Sequence, residues 1–268
     1  MNPVAITGLL VAAIRAEESR RPDRLFEDPH AEALSGPEGH AALARYRAAS
    51  PVSVPIIEVR TRFYDEALAR ATASGIRQLV ILAAGMDARA YRLAWAPGTR
   101  LFEIDQPEVI AHKARVLGEL APRCERRAIG QTLLGDWPAA LAAAGFDPRE
   151  RSAWLVEGLL QYLTPAAASA VLGRVDQLSA PGSVALYDIV GRRLLESPFM
   201  APTLAMMLEL GAPWLFGSDE PAALLPRWRA VVTDPAVIGN TWGRWPFPAA
   251  PAAARDAPRG HLIEARLE

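Results

Sequence analysis

The segment 78–105 limits this chain more than any other stretch. Residues 79–82 form a short, branch-rich apolar run that suits a strand buried on both faces. The run breaks into Ala83, Ala84, Gly85, Met86 and Asp87. Small residues at such a break let a ligand lie against the main chain, and Asp87 is placed to cap a short helix over 88–93. A second run, 99–104, ends in Asp105, twenty residues after Gly85. Strand, tight turn, helix and second strand in that order point to a doubly wound α/β sheet. In such a sheet an acid ending the second strand faces the crevice and accepts hydrogen bonds from both hydroxyls of a ribose.

Whether the nucleoside carries phosphate follows from the turn. A dinucleotide site has three glycines spaced GxGxxG, so that a pyrophosphate can rest on a helix N-terminus. Here the turn holds one glycine, and Asp87 would repel phosphate. S-adenosyl-L-methionine has ribose, adenine and a charged amino-acid tail but no phosphate, and suits the turn better. A strand followed by small residues also occurs as plain packing in α/β cores, so the pattern alone leaves that reading open.

The wording of the stretch goes further. VILAAGMDARAYRL over 80–93 and LFEIDQP over 101–107 resemble the leucine carboxyl methyltransferase-like family of S-adenosyl-L-methionine-dependent O-methyltransferases. So do ESRRPDRLFEDP over 18–29, VRTRFYD over 59–65, DWP over 136–138 and EGLLQYLTP over 157–165, in family order. The resemblance covers about residues 17 to 190. It implies a Rossmann-like methyltransferase fold: a mostly parallel seven-stranded sheet with helices on both faces, a helical N-terminal cap and a helical insertion near the C-terminus. The expected division is a cap or lid over 1–75, a cofactor-binding core over 76–190, a substrate-binding insertion over 191–258 and a closing strand over 259–268.

Local patterns fill in this frame. Apolar Ile6, Leu9, Leu10 and Ile14 share one helical face, so 4–24 reads as an amphipathic helix stopping near Pro22 rather than as an export signal. Short helices are expected over 31–34 and 39–46, and a longer one over 55–72. Further strands are expected over 126–134, 152–156, 184–190 and 261–267, with helices over 109–120, 138–144 and 166–178. A helix over 192–210 is followed by an apolar loop over 213–217 and a Pro/Ala-rich loop over 246–258. The chain has 268 residues, a net charge of −1 and one cysteine, Cys124. Near-neutral charge gives no reason to expect nucleic acid or an anionic membrane as partner, and a lone cysteine fits a reducing, cytoplasmic compartment. Oligomeric state stays open.

The cofactor-binding set implied by the resemblance is Arg60, Ala83, Gly85, Asp105, Gln106, Thr132, Leu133, Glu157 and Gly158. Arg60 would hold the carboxylate of the methionine tail through its guanidinium fork, with Arg62 in reserve. Two positions depart from the family: Thr132 stands where an aspartate usually meets the adenine amino group, and Ala83 where glycine is usual. Thr132 keeps an acceptor without charge assistance. The methionines and aromatics of 191–258 suggest an acceptor with an apolar portion, held by Tyr162, Arg192 or Arg193.

The expected reaction is methyl transfer to an oxygen, first of all to a carboxylate of a small molecule or peptide. A carboxylate is ionised at neutral pH and needs no general base, which fits a sequence with no paired histidine and acid and no metal-ligand cluster. Methylation of an alcohol or phenol would need a base: Tyr162, Glu157 or a histidine brought in by folding. A non-catalytic nucleoside-binding module and an NADP-dependent reductase are the rivals from other classes. The reductase lacks its glycines here.

Overall fold

The computed structural model describes residues 3–49, 54–254 and 256–268. Three helices open the chain: α1 (Pro3–Ser19), α2 (Ala31–Ala49) and α3 (Ile56–Ala73). The core then alternates β1 (Gln78–Leu82), α4 (Arg89–Arg92), β2 (Arg100–Asp105), α5 (Pro107–Leu117), β3 (Glu125–Gly130), α6 (Trp137–Ala143), β4 (Ser152–Val156), α7 (Pro165–Gln177) and β5 (Val184–Val190). The last part holds α8 (Arg192–Leu195), α9 (Ala201–Glu209), β6 (Trp228–Thr233), α10 (Pro235–Thr241) and β7 (Gly260–Leu267). All seven strands join one sheet in the order β3-β2-β1-β4-β5-β7-β6, with β7 antiparallel to both neighbours and the rest parallel. The expected Rossmann-like sheet is therefore the observed one. Its order reverses between β1 and β4, which opens a crevice at the carboxyl ends of the strands.

Both faces of the sheet are covered, so the central strands are apolar throughout. Leu79 and Ile81 face a core shared with Leu9, Val59, Tyr64 and Leu68 of the N-terminal helices. Val80 and Leu82 face the opposite core, built on Trp137, Trp154, Leu172 and Tyr187. A strand buried on both faces has no polar side to alternate with.

Several boundaries moved, each for a local reason. The first helix ends at Ser19, short of Pro22, because the Ser19 hydroxyl donates to the Arg15 carbonyl (2.7 Å) while its oxygen accepts the Asp28 N–H (2.8 Å), turning the chain back. The two short helices expected over 31–46 are one element broken at Gly36, whose φ of 55° precedes Pro37. There α1 and α2 cross at backbone distance: a Cβ on Gly39 would lie 2.5 Å from the Leu9 carbonyl oxygen. β3 stops at Gly130, four residues before the expected end, and a turn closed by the Gly135 N–H on the Thr132 carbonyl (3.0 Å) follows.

The stretch expected as one helix over 192–210 is interrupted. Ser197 caps a new turn by accepting the Phe199 N–H (3.3 Å), and Pro198 and Pro202 separate α8, a short 3₁₀ turn (Pro198–Met200) and α9. β6 and α10 went unassigned in the sequence. β6 is an edge strand paired only with β7, and α10 starts where Asp234 accepts the Ala236 N–H (2.8 Å). The span 191–258 thus combines irregular helix and loop with one strand of the sheet.

Candidate active site

At the carboxyl ends of β1, β2, β4 and β5 lies a cavity of about 810 Å³, roofed by α1. Its floor is the turn after β1. Ala83 and Gly85 both take left-handed backbone angles (φ 53° and 46°), and the Asp87 N–H closes the turn on the Ala84 carbonyl (2.8 Å). Glycine adopts that region freely, whereas an alanine there is strained. Above the turn runs Gly8 of α1, where a Cβ would lie 3.8 Å from the Gly85 Cα. The bare backbones of roof and floor face one another.

Asp105 closes the adjoining strand. The Gly85 N–H donates to its Oδ2 (2.6 Å) and the Gln106 N–H to its Oδ1 (2.7 Å). Burial raises the pKa of this carboxyl against the pull of those two amides. With each oxygen anchored once, lone pairs remain for the two hydroxyls of a ribose.

Beyond the turn lies a buried cluster of four arginines and their acids. Arg89 is fully buried and pairs with Asp65 (2.6 Å), Asp87 and Glu157 (2.7 Å), and Arg92 also holds Asp65 (2.7 Å). Arg60 donates from Nε to Glu157 Oε1 (3.0 Å) and from Nη1 to Asp188 Oδ2 (2.8 Å). Arg15 of α1 donates from Nη2 to the same Glu157 oxygen (3.1 Å) and from Nε to the Thr61 hydroxyl (3.3 Å). Burial alone would raise the Glu157 pKa, but Arg89, Arg60 and Arg15 together hold it well below the usual carboxylate range. Asp188, whose Oδ1 accepts the Gly158 N–H (2.6 Å), is pushed up by burial despite Arg60.

The loop after β3 is largely exposed. Thr132 accepts the Leu134 N–H on its hydroxyl (3.3 Å), and Arg174 of α7 holds the carbonyls of Gly135 (2.7 Å) and Leu133 (3.4 Å). The far end of the cavity is apolar, with Leu10 and Ile14 from α1, Met200 and Met207 from the α9 region, and Trp214 and Phe247 from loops. Tyr162 stands against Trp214 edge to face (6.3 Å between centroids), its hydroxyl linked to Thr7 and its pKa raised by burial.

The cavity gathers every residue of the expected cofactor set, from Arg60, Ala83 and Gly85 through Asp105, Gln106, Thr132 and Leu133 to Glu157 and Gly158, and Tyr162 as well. It does not gather Arg192 and Arg193. Arg192 is 70% exposed and reaches only toward Glu196 (3.8 Å), while Arg193 pairs with Asp219 (3.0 Å) and Asp256 (2.8 Å). The break at Ser197 and Pro198 leaves α8 a single turn on the outside, and only Leu194 of it reaches the wall. Arg62 also points away, bound to Glu66 (2.8 Å) with its guanidinium over Trp242.

Among the polar groups of the wall that the sequence reading did not single out are Arg15, Arg259 and His261. For Arg15 a signal existed, since Gly8, Val11 and Arg15 recur at helical spacing on one face. For the other two there was none, because they reach the cavity only once β7 has paired beside β5. Arg259 holds the carbonyl of Ala254 (2.7 Å) and faces Asp234 (3.5 Å). His261 is 8% exposed and its Nε2 has no hydrogen-bond partner among the described residues; burial lowers its pKa, against the charges of Asp219 and Asp234 and with that of Arg259.

Comparison with known proteins gives a family, a set of relatives and a fold. The model of the leucine carboxyl methyltransferase family matches residues 8–176. A Parafrankia protein that goes under the name of an S-adenosyl-L-methionine-dependent methyltransferase is 42% identical over 259 residues, covering 92% of this chain and 83% of that one. One from Frankia alni with the same naming is 43% identical over 231 residues, covering 84% and 82%. Among solved structures, a DUF574-family protein of Streptomyces avermitilis superposes with a TM-score of 0.66 at 16% identity, covering 95% of this chain and all of that one, a likeness of fold.

Proposed function

The chain belongs to the leucine carboxyl methyltransferase family and is an S-adenosyl-L-methionine-dependent methyltransferase, and from that premise we propose that the methyl goes to an oxygen, a carboxylate oxygen of an acceptor with an apolar portion. In this reading Asp105 takes the ribose hydroxyls, the loop of Thr132 and Leu133 lies along the adenine, and Arg60 meets the carboxylate of the methionine tail. When bound, the cofactor supplies a methyl on a sulfonium: an acceptor lone pair forms the C–O bond as the C–S pair passes to sulfur.

For a carboxylate acceptor no proton has to move. The observation that carries this reading is that the two candidate bases beside the strand ends are both engaged: Glu157 by three arginines, Tyr162 by Thr7. What remains for the protein is alignment and exclusion of water, which the roof of α1 and the apolar far end supply. A second reading, transfer to an alcohol or phenol, draws on one observation, the buried His261 imidazole in the wall, whose lowered pKa keeps it neutral and able to take a proton. Tritiated-methyl transfer to a panel of apolar carboxylic acids and phenols tests both. Methyl esters release volatile tritium in alkali and aryl ethers do not, so alkali-stable product on phenols alone would sink the carboxylate reading.

A further inference from the structure

We propose that Gln161 selects the acceptor: its side-chain amide oxygen receives a hydroxyl carried on the apolar body of the substrate, so that hydroxylated apolar carboxylic acids are preferred to their plain counterparts. The proposal rests on the carboxylate reading above and narrows its acceptor.

The residue is fixed where that acceptor would lie. Gln161 belongs to a 3₁₀ turn after β4 (Leu160–Tyr162), and its carbonyl accepts the N–H groups of Leu215 (2.6 Å) and Phe216 (3.3 Å). These bonds tie it to the loop that brings Trp214 into the cavity beside Tyr162. Gln161 itself lines the cavity and is only 7% exposed, yet its Oε1 is buried with no hydrogen-bond partner among the described residues. A buried acceptor left bare destabilises the fold, and the wall of a binding cavity is where a ligand can relieve it.

The donor that fits is a hydroxyl. An ammonium would need a carboxylate beside it, and Asp234 in that wall is already paired with Arg259 (3.5 Å). Trp214 Nε1, near the Tyr162 hydroxyl, is also buried and reaches no partner in hydrogen-bond geometry among the described residues. An indole N–H only donates, whereas a hydroxyl has lone pairs as well as a proton. One substrate hydroxyl can therefore give its proton to Gln161 and accept from Trp214, which an amide N–H cannot do. A purely apolar pocket discriminates weakly against an added hydroxyl, but a pocket with a bare acceptor strongly rejects the analogue that lacks one.

The test measures tritiated-methyl transfer to matched pairs: cinnamic and para-hydroxycinnamic acid, phenylacetic and para-hydroxyphenylacetic acid, decanoic and omega-hydroxydecanoic acid. On at least one pair the hydroxylated member should lead in kcat/KM by roughly ten- to a hundredfold, and in Gln161→Met that lead should shrink to less than about threefold. A lead that survives Gln161→Met, or no lead on any pair, overturns the proposal. The thermal midpoint needs no acceptor. Methionine removes the bare oxygen at similar volume, so Gln161→Met should melt above the wild type or within about 3 °C below it. A larger fall would mean that the amide is bonded inside the protein, and would overturn the proposal as well. Label that survives alkali would put the methyl on the hydroxyl and sink the carboxylate reading; alkali-labile label with no hydroxyl preference overturns this proposal alone. If none of the acids took label, the midpoint would decide.

Discussion

The two ends of the cavity are built differently. At the end that the proposed function gives to the cofactor, Asp105 closes β2, Glu157 follows β4 directly and Asp188 lies two residues before the end of β5. Backbone amides and arginines fix those carboxylates, so the sheet sets their spacing. At the end proposed for the acceptor the wall comes from a broken helix, two loops and the start of β7, and it is mostly apolar apart from the Arg259–Asp234 pair (3.5 Å) and His261. Directional bonds specify one arrangement, whereas apolar packing accepts any set of similar volume. The cofactor end should therefore be intolerant of single changes and the acceptor end forgiving.

The largest effect should come from Glu157→Ala, which strips Arg15, Arg60 and Arg89 of their common partner. Removing one member of a buried ion cluster costs about 3–5 kcal/mol, which in a chain of this size lowers the thermal midpoint by roughly 10 °C. Met207→Leu, equally buried at the other end, should cost less than about 1.5 kcal/mol. Similar calorimetric midpoints for the two variants would break the contrast.

Next comes Asp105→Ala, which should weaken S-adenosylhomocysteine by on the order of a hundredfold in titration. Phe247→Ala, 45% exposed in the acceptor wall, should leave that affinity within about twofold, since it removes no polar contact to the nucleoside, and should show instead as a raised acceptor KM.

The two acids should also part company in acid. Burial raises the Asp105 pKa above its ordinary 3.8, so the proposed ribose binding, which would use the ionised form, should fade as pH falls through that raised value. Glu157 is held well below its ordinary 4.5, so its contribution to stability is present above 4.5 and is lost only as pH falls through the lower folded value. Titrations from pH 8 downward should lose ligand affinity before the thermal midpoint drops, and Asp105→Asn should bind weakly with no such decline. A midpoint that falls first would reverse the order of the two shifts.

Ala83→Gly should be a small gain. It relieves a left-handed alanine, worth about 1–2 kcal/mol, against about 0.4–1 kcal/mol of added chain entropy in the unfolded state, and leaves a net stabilisation under about 1.5 kcal/mol that a denaturant midpoint would register. The smallest effect belongs to Arg192→Ala, which should leave turnover and ligand affinity unchanged because that side chain stands outside the cavity.

Legibility followed the same divide. Asp105, Gly85 and Glu157 could be read because short, continuous apolar runs locate strands buried on both faces and so their ends, and a parallel sheet brings those ends to one edge. Arg60 could be singled out only through a motif, since an arginine on a helix is usually solvated. Arg192 and Arg193 were misplaced because one apolar helical period over 192–210 concealed the break at Pro198, and a one-turn helix aims its side chains differently from a long one. β6 was missed because an edge strand with Val231 and Val232 both exposed has no alternation to read.

The strand–turn–strand unit of 78–105 and the acid that ends it could be read from sequence alone, because they depend on residues within about thirty positions of one another and on backbone rules that hold locally. Which arginines gather on Glu157, and which histidine enters the wall, were decided only in three dimensions. Arg15 and Glu157 are 142 positions apart, and His261 reaches the cavity because β7 runs antiparallel beside β5. Contacts of that separation depend on the closing of the whole sheet and its cap, and no local pattern encodes which side chains they bring together.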